Sequence, residues 1–164
     1  MSKVTVRGPS LVEIAENITD GIDQEMRKRS YQAANELRNA ALLVLRGQRS
    51  GRRYKVPGTY KLQMYKVAGK KKHGRYYTAS APGEPPAVRT GTFRNSWQPE
   101  NHMAFGSYIS RISSDARTDN GRFTLGEILE NGTRRMAPRP HHDRIREKAE
   151  PQIVKIYEKP YFNE

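Results

Sequence analysis

Cysteine is absent from the 164 residues, which excludes disulfides, thiolate metal ligands and cysteine nucleophiles. Tryptophan occurs once, apolar residues make up only 35%, and the mean hydropathy is -0.91. No apolar run approaches the roughly 20 residues that a membrane-spanning helix needs, and Met1 to Ser10 is too short and polar for a secretory leader. A chain of this size can still bury a core, because domains near 150 residues remove about two-thirds of the unfolded surface from water. So polar a composition implies either that apolar surface is finished against neighbours or that part of the chain is disordered.

Acidic residues are missing altogether from residues 37 to 83, where twelve Lys and Arg stand uncompensated. Residues 1 to 36 carry a net -1 and residues 84 to 164 a net +2, so nearly all of the overall +13 sits in one segment. Arg49, Arg52, Arg53, Lys55, Lys70, Lys71 and Lys72 belong to it. Such a block implies an anionic partner, either DNA or an acidic protein surface, against the plainer reading of a solvated loop.

Catalytic patterns are also missing. Gly69-Lys70 lacks the upstream glycine of a phosphate-binding loop, and neither Ser80 nor Ser96 sits in a nucleophile elbow. His141 and His142 are neighbours, which on a helix point about 100° apart, so no metal site is expected where three or four ligands must converge. Glu84 and Glu130 form a carboxylate pair only if the fold brings them together. The sequence reads as a non-enzyme without metal or cofactor.

One domain is expected over 1–164, of α+β class: a long N-terminal helix packed on a small, mainly antiparallel sheet, with a C-terminal helix and an inserted basic β-hairpin. Ser10 with Glu13 makes a capping box. Leu11, Ile14, Ile18, Ile22, Met26, Ser30, Ala33, Leu37, Ala40 and Val44 then recur at helical spacing over 10–46, with Gly47 as the stop. Asp20-Gly21 offers a break in that helix. Residues 47–79 form the basic insertion: loop from Gln48 to Pro57, a strand over Thr59 to Val67, a turn over Ala68 to Gly74, and a returning strand over Arg75 to Ala79. A connector rich in proline spans 80–97 and ends in a helical turn from Phe93 to Trp97. Strands and turns fill 98–140, with His102 to Ser113 read as strand interrupted at Gly106-Ser107, a turn at Asp119-Asn120-Gly121, a short helix ended by Gly132, and extended chain over Met136 to Pro140. The last helix covers 141–158, with Pro151 expected to kink or split it.

The connector reads Ser80-Ala81-Pro82-Gly83-Glu84-Pro85-Pro86-Ala87, then Thr90-Gly91, then Ser96. Its prolines fix their own φ and extend the residues before them. This string resembles the signature of a family of tailed-bacteriophage morphogenesis proteins, known as tail-completion, minor tail or head-tail joining proteins. Leu129-Glu130-Asn131-Gly132-Thr133 and Ala137-Pro138-Arg139-Pro140 resemble the family's downstream elements. The likeness covers roughly residues 10 to 158 and departs at 54 to 76, which are longer and more basic than the family pattern. The resemblance implies a virion protein of the neck or upper tail, assembled in the host cytoplasm. It implies a homo-oligomeric ring, hexamer or dodecamer, that joins head to tail around the DNA channel and touches adjacent neck or tail proteins, with genomic DNA in the channel a candidate contact, and no membrane. Between the two anionic partners, an acidic neighbouring ring is favoured, since a conduit that gripped phosphates would slow the genome's passage. The alternative is a free, sequence-independent nucleic-acid-binding protein. It would use the basic 46–75 segment, with Tyr54, Tyr60, Tyr65, Tyr76 and Tyr77 stacking on bases.

Overall fold

The computed structural model describes residue 8, residues 10–56 and residues 76–161. It has the expected mixed α+β architecture. Helix α1 runs unbroken from Leu11 to Arg46, about 54 Å at 1.5 Å per residue. Its capping box is formed: the Ser10 hydroxyl accepts from the Glu13 amide at 3.2 Å, and the Glu13 carboxylate accepts from the Ser10 amide at 2.7 Å. Asp20-Gly21 does not break the helix, since a single glycine costs only about 1 kcal/mol inside a cooperative element. The helix stops at Gly47, where an added Cβ would lie 2.9 Å from the Arg49 guanidinium folding back over it.

β1 (Arg53–Lys55) pairs antiparallel with β2 (Tyr76–Thr78), with Tyr54 opposite Tyr77. The returning strand was expected; its partner was not, because Arg53–Lys55 fell in the segment read as loop. Three residues with one half-buried side chain carry no visible period. The expected strand over Thr59 to Val67 and the turn after it lie outside the described residues. Gly51 closes the base of this ladder, its amide donating to the Ala79 carbonyl at 3.0 Å.

After the connector, α2 (Thr92–Asn95) makes one turn and β3 begins at Trp97. β3 (Trp97–Ala104) and β4 (Ser107–Ser114) form a hairpin in full register, from Trp97 opposite Ser114 to Ala104 opposite Ser107. The reversal falls at Phe105-Gly106, one residue earlier than expected. Both residues have positive φ, 51° and 72°, as a two-residue hairpin turn of type I′ requires. β3 also starts five residues before the expected strand; Pro99 and its polar neighbours hide it, yet a two-stranded ribbon tolerates proline where no N–H need be donated.

The hairpin lies against α1. Passing from its tip to its base, the Tyr108 hydroxyl donates to Asp23 at 3.0 Å, the Ser110 hydroxyl donates to the Ser30 carbonyl at 2.8 Å, and Arg38 donates to the Trp97 carbonyl at 3.0 Å. The Asn101 amide meets the Ser30 hydroxyl at 2.9 Å. Helix α3 (Leu125–Asn131) follows, then α4 (His142–Tyr157), which packs on α1. Pro151 sits inside α4 without splitting it. The carbonyl that its missing N–H cannot engage belongs to Glu147, an exposed residue of the helix.

The core is thin. Among the described residues nine hydrophobic side chains are buried, and only Leu45, Trp97 and Ile145 of these are larger than alanine. Ala40 and Ala41 let α4 approach closely enough for Ile145 and Ala149 to bury. Residues 11–20, by contrast, are exposed throughout. The apolar stripe of α1 therefore continues well past the body it packs on. No described helix is long and apolar enough to cross a membrane.

Candidate functional site

The connector is held from both sides. Ala81-Pro82-Gly83-Glu84 is a tight turn, with the Glu84 amide donating to the Ala81 carbonyl at 3.1 Å and Gly83 at φ 77°. Proline then glycine at its centre is the type II pattern, which needs positive φ at the second position. The Glu84 carboxylate accepts from the Ser50 hydroxyl at 2.6 Å, the Ser50 amide at 3.1 Å and the Ala81 amide at 2.8 Å. These hydrogen bonds, the Ser50 hydroxyl foremost, hold its pKa down to about 2; nearby Arg49 adds to the effect.

The second string folds onto the first. The Gly83 amide donates to the Pro138 carbonyl at 3.1 Å, and Arg144 donates to the Gly83 carbonyl at 3.0 Å. Arg139 donates to the carbonyl and hydroxyl of buried Ser80, and its own amide donates to the Leu129 carbonyl at 2.8 Å. Gly132 lets the chain reach back: with φ 74° and ψ -171° it lies in a region essentially closed to other residues. The Thr133–Met136 turn follows, its two backbone bonds measuring 2.8 and 3.1 Å. Two stretches about 50 residues apart in sequence thus form one hydrogen-bonded unit. Ala81, Pro82, Pro85, Pro86 and Pro140 serve it as backbone. Thr90, Gly91 and Ser96 set the α2 turn, where the Ser96 hydroxyl bonds the Phe93 carbonyl at 2.8 Å and meets that of Ser114 at 2.6 Å.

Among the described residues Glu84 and Glu130 share no partner. Glu130 instead caps α4: its carboxylate accepts from the amides of His141 at 2.9 Å and His142 at 3.3 Å and lies 2.7 Å from His141 Nδ1. The expectation that the two histidines diverge is corrected here. His141 is the helix cap, with φ -140°, so it leaves the helical series and its ring centroid comes within 4.5 Å of that of His142. Glu130, His141 and His142 do converge. His141 Nδ1 nevertheless faces two acceptors, Glu130 and the Arg139 carbonyl at 3.1 Å, so it carries the proton. Nε2 is buried without a partner among the described residues, with Phe93 and Trp97 edge-on to the ring. Burial lowers the pKa of His141, against the opposing pull of the Arg139 carbonyl and the Glu130 carboxylate. The arrangement is a helix cap locked by a buried imidazole, and both Nδ1 and the carboxylate are committed to it.

Of the residues read as facing a partner, Arg49 is corrected. It turns inward and donates to the carbonyls of Val44 at 2.8 Å, Gln48 at 2.8 Å and Pro86 at 3.1 Å, tying the end of α1 to the connector. Arg52 lies 5.8 Å from the ring of Tyr54, and Arg53 and Lys55 lie 4.7 and 5.8 Å from that of Tyr76, so these tyrosines serve their own sheet's cations. Lys70, Lys71 and Lys72 lie outside the described residues. Sequence reasoning missed Arg29, a buried side chain that donates to the carbonyls of Lys159 and Pro160 at 2.6 Å each, bonds Glu25 at 3.1 Å and covers the Tyr161 ring at 4.0 Å. It was hidden because helical spacing at that turn assigns the inner face to Ser30.

Behind the connector lies a cavity of about 360 Å³, walled by residues 86–94 on one side and by residues from 117–129 on the other. Leu45, at the end of α1, forms part of its lining. No known family model, curated protein or solved structure matches this chain.

Proposed function

We propose that this chain is a structural subunit of a tailed-phage neck or upper tail, one copy of a homo-oligomeric ring that joins head and tail. The observation that carries this reading is the mismatch between apolar surface and core. Three large buried hydrophobics stand against an α1 whose first ten residues are exposed, with Leu11 at 85%. A lone helix end with an apolar stripe gains little by itself and is stabilised by tertiary packing. The residues that resemble the phage string act as architecture here: Glu84, Arg139 and Ser80 make internal hydrogen bonds, as suits a part that holds a shape for its neighbours. The basic segment is then the part that meets the adjacent ring. The inward turn of Arg49 and the tyrosines' engagement with their own cations weigh against free nucleic-acid binding. Mass photometry and negative-stain microscopy of the purified protein test the reading. A closed ring of six or twelve subunits is expected; a monomer at every concentration, absent from purified virions, refutes it.

A further inference from the structure

α1 has two ends of opposite character. At its start, Leu11, Ile14 and Ile18 are exposed on a stripe of helical spacing. Glu13, Glu16 and Asp20 are interleaved with them, and no Lys or Arg occurs from residue 8 to residue 26. At its far end lies the cavity behind the connector, lined by Leu45, Pro86, Val88, Phe93, Leu125 and Leu129. Arg89, Arg94 and Arg117 also line it, with Asp119 the single acid among them, and Arg89 and Arg117 are exposed to solvent.

We infer that the start of α1 from one copy seats in this cavity of the next copy, Leu11 and Ile14 entering the apolar lining and Glu16 and Asp20 facing Arg89 and Arg117. This rests on the ring reading above and names the contact that builds the ring. Both halves of the match are chemical: an apolar stripe meets an apolar hollow, and an acidic flank meets a basic lining. The occupant cannot be the same chain. Leu11 and Leu45 are separated by 34 residues of one unbroken helix, about 51 Å at 1.5 Å per residue. Nor is the contact two-fold, because it joins different surfaces. Each copy keeps one free helix end and one free cavity, and such a heterologous contact propagates until it closes into a ring.

Two variants separate the halves. Glu16→Lys with Asp20→Lys reverses the helix end, and Arg89→Glu with Arg117→Glu reverses the cavity; all four side chains are exposed. Each variant alone should sediment as a monomer where the parent is fully assembled, with unchanged circular dichroism. Mixed in equal amounts, they should assemble again with the two variants alternating, which an even-membered ring allows. The first variant's arginine cavity accepts the second's acidic helix end, and the first's lysine helix end faces the second's glutamate cavity, so only the pairing of like variants is blocked. The lack of cysteine adds a second readout. Chains carrying Ile14→Cys mixed with chains carrying Val88→Cys should form the mixed disulfide, at least tenfold over either chain with itself. Assembly unaffected by both reversals, or disulfide formed chiefly between two Ile14→Cys chains, overturns the helix-to-cavity contact and leaves the ring reading standing. A parent that never self-associates removes both.

Discussion

Replacing Gly132 by alanine should destabilise the fold more than any other single methyl group added at a glycine of the motif region. Two costs add. The backbone at φ 74° and ψ -171° is one that an L-residue enters only with strain, about 1–3 kcal/mol. The new Cβ would also lie 2.7 Å from the Met136 oxygen and 2.7 Å from the Pro138 nitrogen. Both are backbone atoms, which cannot swing aside as a side chain does, and overpacking of this kind costs about 1–3 kcal/mol. The expected total is about 4 kcal/mol. For a domain of 150 to 250 residues each kcal/mol moves Tm by about 2–4 °C, so Tm should fall by about 8–16 °C. Gly126→Ala is the internal control. That glycine lies within α3, and its added Cβ would meet only Phe93, at 3.8 Å, so the substitution should be neutral or stabilising by about 0.5 kcal/mol. Urea unfolding followed by circular dichroism gives both values. A Gly132→Ala variant within about 0.5 kcal/mol of the parent would show that the turn absorbs a side chain, and the account of how the two motif strings are joined would fail.

Glu84 should govern an acid limb of stability. Its folded pKa of about 2 lies below the ordinary carboxylate value, so its contribution is full above pH 4.5 and is lost as pH falls from there towards 2; Glu84→Gln should flatten that limb in a pH series of unfolding midpoints. Arg29→Met should cost about 2–4 kcal/mol, because the carbonyls of Lys159 and Pro160 lose a charged donor, and hydrogen exchange should show the end of α4 opening first. Reversing Lys70, Lys71 and Lys72 to Glu should block docking to an acidic neighbouring ring while DNA binding stays weak; tight, salt-sensitive DNA binding in the parent that the reversal abolishes would favour the nucleic-acid reading.

The sequence showed most clearly those features that are local. The Ser10–Glu13 box, the 3.6-residue period of α1 and α4, and the Asp119-Asn120-Gly121 turn each depend on residues a few positions apart. What stayed hidden depends on contacts over distance or on single-residue breaks. β1 is three residues long and gains its identity only from β2. The approach of His141 to His142 comes from one non-helical φ, and a helical projection cannot show it. The two motif strings were legible as strings, but their union through Gly83, Pro138 and Arg139 was not. Periodicity showed which face of α1 is apolar and said nothing of what covers it, so the departure of the stripe from the core before Ile22 appears only in the fold.

The charge distribution bears on how copies with a net +13 can associate at all. Long-range repulsion between two such chains acts over tens of ångströms, while physiological salt screens beyond about 8 Å. What remains at contact is local. The start of α1 has five carboxylates between residues 13 and 25 and no base nearer than Arg7 and Arg27, so it is an acidic rod on a basic body. A head-to-tail contact places that rod against arginines, and side-by-side packing of two bodies would place base against base. The same chemistry that disfavours a symmetric dimer therefore favours a polar one. Raising salt should first promote assembly, as net repulsion is screened, and weaken it only at ionic strengths where the ion pairs of the contact are themselves screened. The apolar seating of Leu11 and Ile14 should hold the weakened contact together, so substituting both with Ser should abolish assembly at every salt concentration. Assembly that survives that change would mean the stripe faces solvent in the ring.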